Sequence, residues 1–301
     1  MRRRITTAVV LLLALIGIGG CVIVDDGLDY RHDLSDYEAK KIVRTVFLTQ
    51  QSLSRAAMIS ARSTETIFDG DRYGEGNRYD CLSGGYLTLE LGVDGLQLSL
   101  SAGDIVQLDY HQCLCDPLYA HESYLDGPVA LTYHQSLYNS HERLYDVTLS
   151  YADTWLDTPT GGAWFDGRIG LHYDEDFDTR MHHLILSSDT LDIRRGSYAS
   201  QRLYNIVLDF RMQRDTLHYR YDYSGTLYSD YLGRLTFSTL YPMEGYADRN
   251  PSAGLFKISN TTVTLKVRPI DDYYVDILLE NRYDPSQNRT IHTTWMNIGL
   301  G

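Results

Sequence analysis

Leu144-Tyr145-Asp146-Val147-Thr148-Leu149-Ser150-Tyr151 puts a large apolar or aromatic side chain at every second position from Tyr145 onward, with a small or polar one between. A period of two belongs to a strand with one face buried and the other wet. The alternation returns at Val129, Leu131 and Tyr133, at Ile169, Leu171 and Tyr173, and at Ile206, Leu208 and Phe210. It continues through Tyr219, Tyr221 and Tyr223, then Val263, Leu265 and Val267, then Val275, Ile277 and Leu279. No helical crossover of the length that parallel strands need lies between these runs, so they are expected to pair antiparallel. The expected fold is mostly β: one large antiparallel sheet, built as a meander and open or curved.

Upstream of the strands the period changes. Ser35-Asp36-Tyr37-Glu38 has the spacing of a capping box, in which Ser35 and Glu38 satisfy each other's backbone donors. Ala39, Ile42, Val43, Val46, Leu53 and Ala57 then recur at helical spacing, predicting an amphipathic helix over 36–62. Lys40, Lys41, Arg44, Arg55 and Arg62 fall on other faces and read as solvated cations or partners for an acidic sheet; attraction to anionic lipid is the alternative. Next, Leu87, Leu89, Leu91 and Val93 followed by Asp94-Gly95 and by Leu96, Leu98 and Leu100 predict a hairpin.

Two internal echoes run through the strand region. Leu125-Asp126-Gly127 through Tyr133 matches Phe165-Asp166-Gly167 through Tyr173, and Leu144 to Leu149 matches Leu203 to Leu208. The offsets are unequal, which favours stacked hairpins over a strict solenoid or propeller. The Asp-Gly pairs read as turns, with calcium ligation the minority reading. The 25 Tyr residues outnumber Phe at 7 and Trp at 3, which suits a half-exposed sheet whose hydroxyls stay wet; a stacking face for glycan or peptide is the alternative.

The N-terminus reads as a secretory leader: Arg2, Arg3 and Arg4, the apolar run Ile5–Ile18, then Gly19 and Gly20 before Cys21. At about 1.5 Å per residue that run is short of the roughly 30 Å hydrocarbon core, which disfavours a permanent span. Ile18-Gly19-Gly20-Cys21 resembles the lipobox of bacterial lipoproteins. The resemblance implies diacylglyceration of the Cys21 thiol, cleavage before it, acylation of the new amine, and a membrane partner reached through the anchor. Val22 in place of Asp resembles the pattern of cargo passed to the outer membrane, most simply its periplasmic face. The organisation that follows is a signal peptide over 1–20, an acidic tether over 21–34, and a single β-rich domain over 35–301.

The body also resembles uncharacterised β-rich lipoproteins of proteobacteria, at Cys81-Leu82-Ser83-Gly84-Gly85, Gly103-Asp104, Cys113, Leu125-Asp126-Gly127, Ser224-Gly225 to Gly233, and from Pro251–Gly254 through Thr294-Trp295. That likeness implies fold and location and carries no activity. An amphipathic helix followed by a curved sheet is also similar in order to the Lol-type lipoprotein carriers, which implies an open barrel with a helical lid.

Once Cys21 is acylated, Cys81, Cys113 and Cys115 remain. An oxidising compartment favours a disulfide from Cys81 to Cys113 or Cys115, worth roughly 3 kcal/mol. Cys113 and Cys115 would lie about 6.6 Å apart on one strand face and should not pair with each other. The alternative is a soft metal site of His111, Cys113 and Cys115 with Cys81 as fourth ligand. His182 and His183 should face opposite ways on a strand, and with His141 and His121 they read as surface or edge histidines, near Ser187 and Asp189 in sequence. Asp174, Asp176 and Asp178 offer paired carboxylates for calcium or a glycosidase, and Asp69-Gly70-Asp71 is a weak loop motif.

No Gly-x-Ser-x-Gly elbow, His-Glu-x-x-His pair, Ser-x-x-Lys box or phosphate loop occurs. A formal charge of −13 argues against nucleic acid as a partner. No catalytic residue and no cofactor are assigned. The expected function is a lipid-anchored envelope protein that binds an envelope protein, glycan or lipid without catalysis. The alternatives are a lipid or lipoprotein carrier and, after it, a periplasmic hydrolase.

Overall fold

The computed structural model describes residues 34–68, 74–75, 77–81, 84–91, 100–113, 123–159, 161–195, 199–247 and 249–300. Cys21 with its leader and tether, Asp69-Gly70-Asp71, the Asp94-Gly95 turn, Cys115 and His121 lie outside these residues.

Helix α1 spans Asp36–Phe68 and so runs past the expected end at Arg62. Its start is the capping box: the Ser35 amide and hydroxyl donate to Glu38 Oε2 at 2.9 and 2.7 Å, and the Glu38 amide returns to Ser35 Oγ at 3.3 Å. The strands follow as β1 (Gly74–Glu75), β2 (Arg78–Asp80), β3 (Tyr86–Leu91), β4 (Ile105–Cys113), β5 (Tyr124–Tyr138), β6 (Glu142–Asp157), β7 (Ala163–Asp176) and β8 (Met181–Arg195). Then come β9 (Ala199–Gln213), β10 (His218–Ser229), β11 (Gly233–Tyr246), β12 (Ala253–Ser259), β13 (Val263–Pro269), β14 (Tyr274–Asn281) and β15 (Arg289–Thr294). A short helix α2, Trp295–Ile298, closes the series.

Among the described residues the 15 strands form one antiparallel sheet in chain order, a meander. Among the described residues no ladder joins β15 to β1, so the sheet is open. It also curls round α1. Side chains from β6, β8, β9 and β12 all reach the helix: Tyr151 hydroxyl to Ser60 at 3.2 Å, Arg195 to the Leu48 carbonyl at 2.6 Å, Gln201 to Thr49 at 3.3 Å, and Phe256 edge-on to Phe47 at 5.2 Å. Trp295 of α2 packs, tilted, against the same Phe47 at 5.4 Å. The core is therefore the inner face of the sheet plus the helix that it encloses. Leu53, Ala56, Ala57 and Ile59 on one side and Val147, Leu149, Ile169 and Leu186 on the other are all buried.

The curl comes from bulges. Asp126-Gly127 and Asp166-Gly167, expected as turns, lie inside β5 and β7 at register shifts. Gly127 and Gly167 have φ of 104° and 129°, and beside each the neighbouring strand carries one extra residue, on β6 opposite Asp126–Val129 and on β8 opposite Gly167–Gly170, which bends the sheet. Gly127 and Gly167, the matching positions of the first sequence echo, are thus two corners of the same bend. The expected hairpin partner of β3 is also different. Leu87 and Leu89 pair with Tyr110 and Leu108 of β4, while residues 96–100 supply no described strand.

Tyr219, Tyr221 and Tyr223 point inward and are buried, not half wet, because the curl leaves the inner face no solvent on its helix side. The metal set fails for a related reason. Gln112 at φ 50° forms a bulge that turns Cys113 into the core while His111 stays on the outer face, stacked on Tyr86 at 4.4 Å. Cys81 and Cys113 are bridged by a disulfide with a Cα separation of 5.5 Å, so neither offers a thiolate. Among the described residues no group of three or more His, Cys, Asp and Glu converges as metal ligands.

Candidate functional site: the cleft between the helix and the sheet

One stripe of α1 borders a gap between the helix and the sheet. Phe47, Gln50, Gln51, Ser54, Arg55 and Met58 follow the i, i+3, i+4, i+7 spacing of a single helix face, and they line a cavity of about 190 Å³. The opposite wall is the inner face of β7 to β10 near the β7–β8 and β9–β10 turns: Tyr173, Leu184, Phe210, Met212, Tyr219 and Tyr221. The β11–β12 turn supplies the rim with Ala247, Arg249, Asn250 and Pro251.

That wall is a ladder of rings. Phe210 and Tyr219 stack at 5.9 Å, and Tyr219 and Tyr221 at 6.0 Å. Alternate residues on β10 and the cross-strand neighbour on β9 are side by side by strand geometry alone. Desolvation raises both tyrosine hydroxyls above the ordinary phenol range, so they are neutral donors at any physiological pH. The Tyr219 hydroxyl donates to the Arg249 carbonyl at 3.1 Å, and Arg249 pairs with Asp272 at 2.9 Å, which ties the rim to the loop before β14.

Behind the wall, Tyr173 and His182 lead into a buried polar cluster that does not itself line the cleft. Tyr173 hydroxyl hydrogen-bonds Nδ1 of His182 at 2.9 Å and donates to Glu175 Oε2 at 3.2 Å, and His182 Nε2 lies 3.6 Å from Glu175 Oε1. Arg143 and Arg214 approach the same carboxylate at 3.6 and 3.5 Å. A carboxylate this buried requires such partners, and here two guanidiniums supply them.

Arg55 is different. Burial pushes its guanidinium below the usual arginine value, and among the described residues no carboxylate or carbonyl is bonded to it. The cleft therefore presents one unmatched cation on the helix side and an apolar aromatic wall on the sheet side.

The residues singled out from sequence scatter. His182 and His183 face opposite ways as strand geometry requires, but His182 is buried in the polar cluster and is no surface histidine. His183 pairs with Asp209 at 2.9 Å on the outer face, and Ser187 and Asp189 are exposed there too, so they do not meet His182. His141 pairs with Asp178 at 3.0 Å on the surface. Asp176 accepts the amides of Asp178 and Thr179, each at 2.9 Å, and so caps the β7–β8 turn instead of joining Asp174 in a site.

The cations of α1, expected to be solvated or paired with the sheet, likewise divide. Lys41 lies 3.8 Å over the Tyr231 ring, Arg44 is exposed, and Arg55 enters the cleft. Neither Arg55 nor the buried cluster of Tyr173, Glu175 and Arg143 stood out in the sequence. The available signal was that apolar residues cover nearly every face of α1 between Val46 and Ala61, which marks a helix enclosed on all sides. A scan against family models and searches of curated proteins and of solved structures find nothing that matches this chain, and the cleft is read on its own chemistry.

Proposed function

We propose that the chain is a non-enzymatic binding protein of the cell envelope, anchored to the outer membrane through acylated Cys21, and that it holds a small amphiphilic ligand between α1 and β7–β10. The observation that carries the binding part is the cleft: an aromatic wall, a few placed polar groups and an open rim, the usual make-up of a ligand site. The lipobox-like Ile18–Cys21 carries the anchor.

A carrier for whole lipids is the second reading, favoured by a helix lying within an open curved sheet. Size counts against it. A cleft of about 190 Å³ falls below the ~300 Å³ at which drug-sized sites begin, far short of a two-chain lipid. The hydrolase reading, which rests on paired carboxylates, has less support still, since Asp176 accepts the amides of Asp178 and Thr179 in the β7–β8 turn.

Two variants test the proposal. Cys21→Ala should abolish metabolic labelling with radioactive fatty acid; labelling equal to the parent overturns the anchor. Ser54→Trp fills the cleft from the helix side and should abolish binding of eight-carbon amphiphiles, octanoate and octanamide, measured calorimetrically with the melting temperature as a control on folding. Unchanged binding in that variant, or no binding of either compound by the parent, overturns the cleft as the site.

A further inference from the structure

We propose that the cleft selects an acidic ligand, a small carboxylate amphiphile whose head group is held by Arg55 and whose apolar body lies on the Phe210, Tyr219 and Tyr221 ladder; this rests on the binding function proposed above. The argument starts from charge accounting. Glu175 is held by Arg143 and Arg214, and Asp272 is held by Arg249. Arg55 is the one cation lining the cleft to which no carboxylate is matched among the described residues. Arg55 is partly exposed, and a guanidinium partly withdrawn from water gains from a carboxylate, which its planar fork meets through two parallel hydrogen bonds.

The neighbours of Arg55 agree. Gln50, Gln51 and Ser54 line the same stripe of α1 and add polar atoms beside the guanidinium, while Met58 and the ring ladder are apolar. A ligand that satisfies both walls has a charged end and an apolar end. The Ser54 hydroxyl is already directed at the Gln50 and Gln51 carbonyls at 3.0 and 3.1 Å, so it can offer a ligand only its lone pairs. The anion-specific donor is therefore Arg55.

Size sets the body. The cleft, about 190 Å³, is a little larger than the ~150 Å³ cavity that takes benzene, which fits a single ring or a medium acyl chain and excludes a diacyl lipid. Net charge sets the range of attraction. A chain of formal charge −13 repels an acid at a distance, so recognition has to be local to Arg55.

The test compares octanoate with octanamide, its neutral isostere, by calorimetry on the mature acylated protein in nanodiscs, with empty nanodiscs as blank. The parent should bind octanoate at least about tenfold more tightly, and Arg55→Gln should bring the two ligands level while leaving octanamide within about twofold. Arg55→Lys, which keeps charge and loses the fork, should retain a reduced preference. Equal affinity of the parent for both ligands, or a preference that survives in Arg55→Gln, overturns the acid assignment and leaves the cleft as a binding site. Binding of neither ligand overturns both proposals. If Arg55→Gln does not fold, phenylglyoxal labelling of the parent decides: octanoate should protect Arg55 and octanamide should not, and equal labelling with both overturns the assignment.

Discussion

Two side chains act far beyond their size. Cys81 lies between β2 and β3, near one edge of the sheet, and its bridge to Cys113 crosses a sequence separation of 32. Replacing Cys81 by Ser should cost about 2–5 kcal/mol of stability, read from denaturant midpoints, with a single crosslinked pair in non-reducing peptide maps of the parent. Unchanged stability would show that the edge holds without the bridge. Asp276 on β14 is buried, and burial alone would raise its pKa, but Arg268 at 2.8 Å and His292 at 2.6 Å outweigh this and lower it. A lowered native pKa means stability present above the unfolded value of about 3.9 and lost as the pH falls through the native one. The stability difference between parent and Asp276→Asn should shrink as the pH falls from ~5 to below ~4. A difference independent of pH in that window refutes the assignment.

Among the elements, the bulged strands determine whether the sheet can enclose a helix at all. Gly167 has φ 129°, and an added Cβ there would sit 3.2 Å from the Thr190 carbonyl of β8. Gly167→Ala should therefore cost about 1–3 kcal/mol, well beyond Gly170→Ala on the same strand, where the nearest atom is the movable Ser187 hydroxyl. Equal costs would mean that the bend does not depend on the left-handed residue. This is also where legibility from sequence ends. Period-two runs such as Tyr145–Tyr151 revealed the strands, and Ser35 with Glu38 revealed the helix start, because both are local patterns. Asp166-Gly167 was misread because the same left-handed glycine serves a turn or a bulge, and only the neighbouring strand decides which. Tyr219, Tyr221 and Tyr223 were misjudged for the same reason: alternation shows which residues share a face, not whether that face is covered. Arg55 was hidden one step further on, since a charged residue on a helix reads as solvated until the sheet is known to close round it.

At the scale of the whole molecule, the open question between a fixed binding cleft and a carrier with a moving lid becomes one about α1. A lid must leave the sheet at low cost. Here the middle of the helix is buried on most sides, with Val46, Phe47, Leu48, Leu53, Ala56, Ala57 and Ile59 inside the core. At about 1.5–3 kcal/mol for each large side chain, their exposure would cost on the order of 10 kcal/mol, comparable to the entire net stability of a domain. Arg195 adds bonds to the Leu48 carbonyl and Ser52 hydroxyl at 2.6 and 2.7 Å, and would lose them if the helix withdrew. Helix α1 is accordingly core, and only its stripe of Phe47, Gln50, Gln51, Ser54, Arg55 and Met58 faces the cleft. Hydrogen exchange on the native protein should show the amides of residues 46–61 opening with the same free energy as the central strands β6–β9, through global unfolding alone. Fast exchange over 46–61 with β6–β9 still protected would mean that the helix leaves the sheet as a unit, and the carrier reading would then displace the fixed cleft.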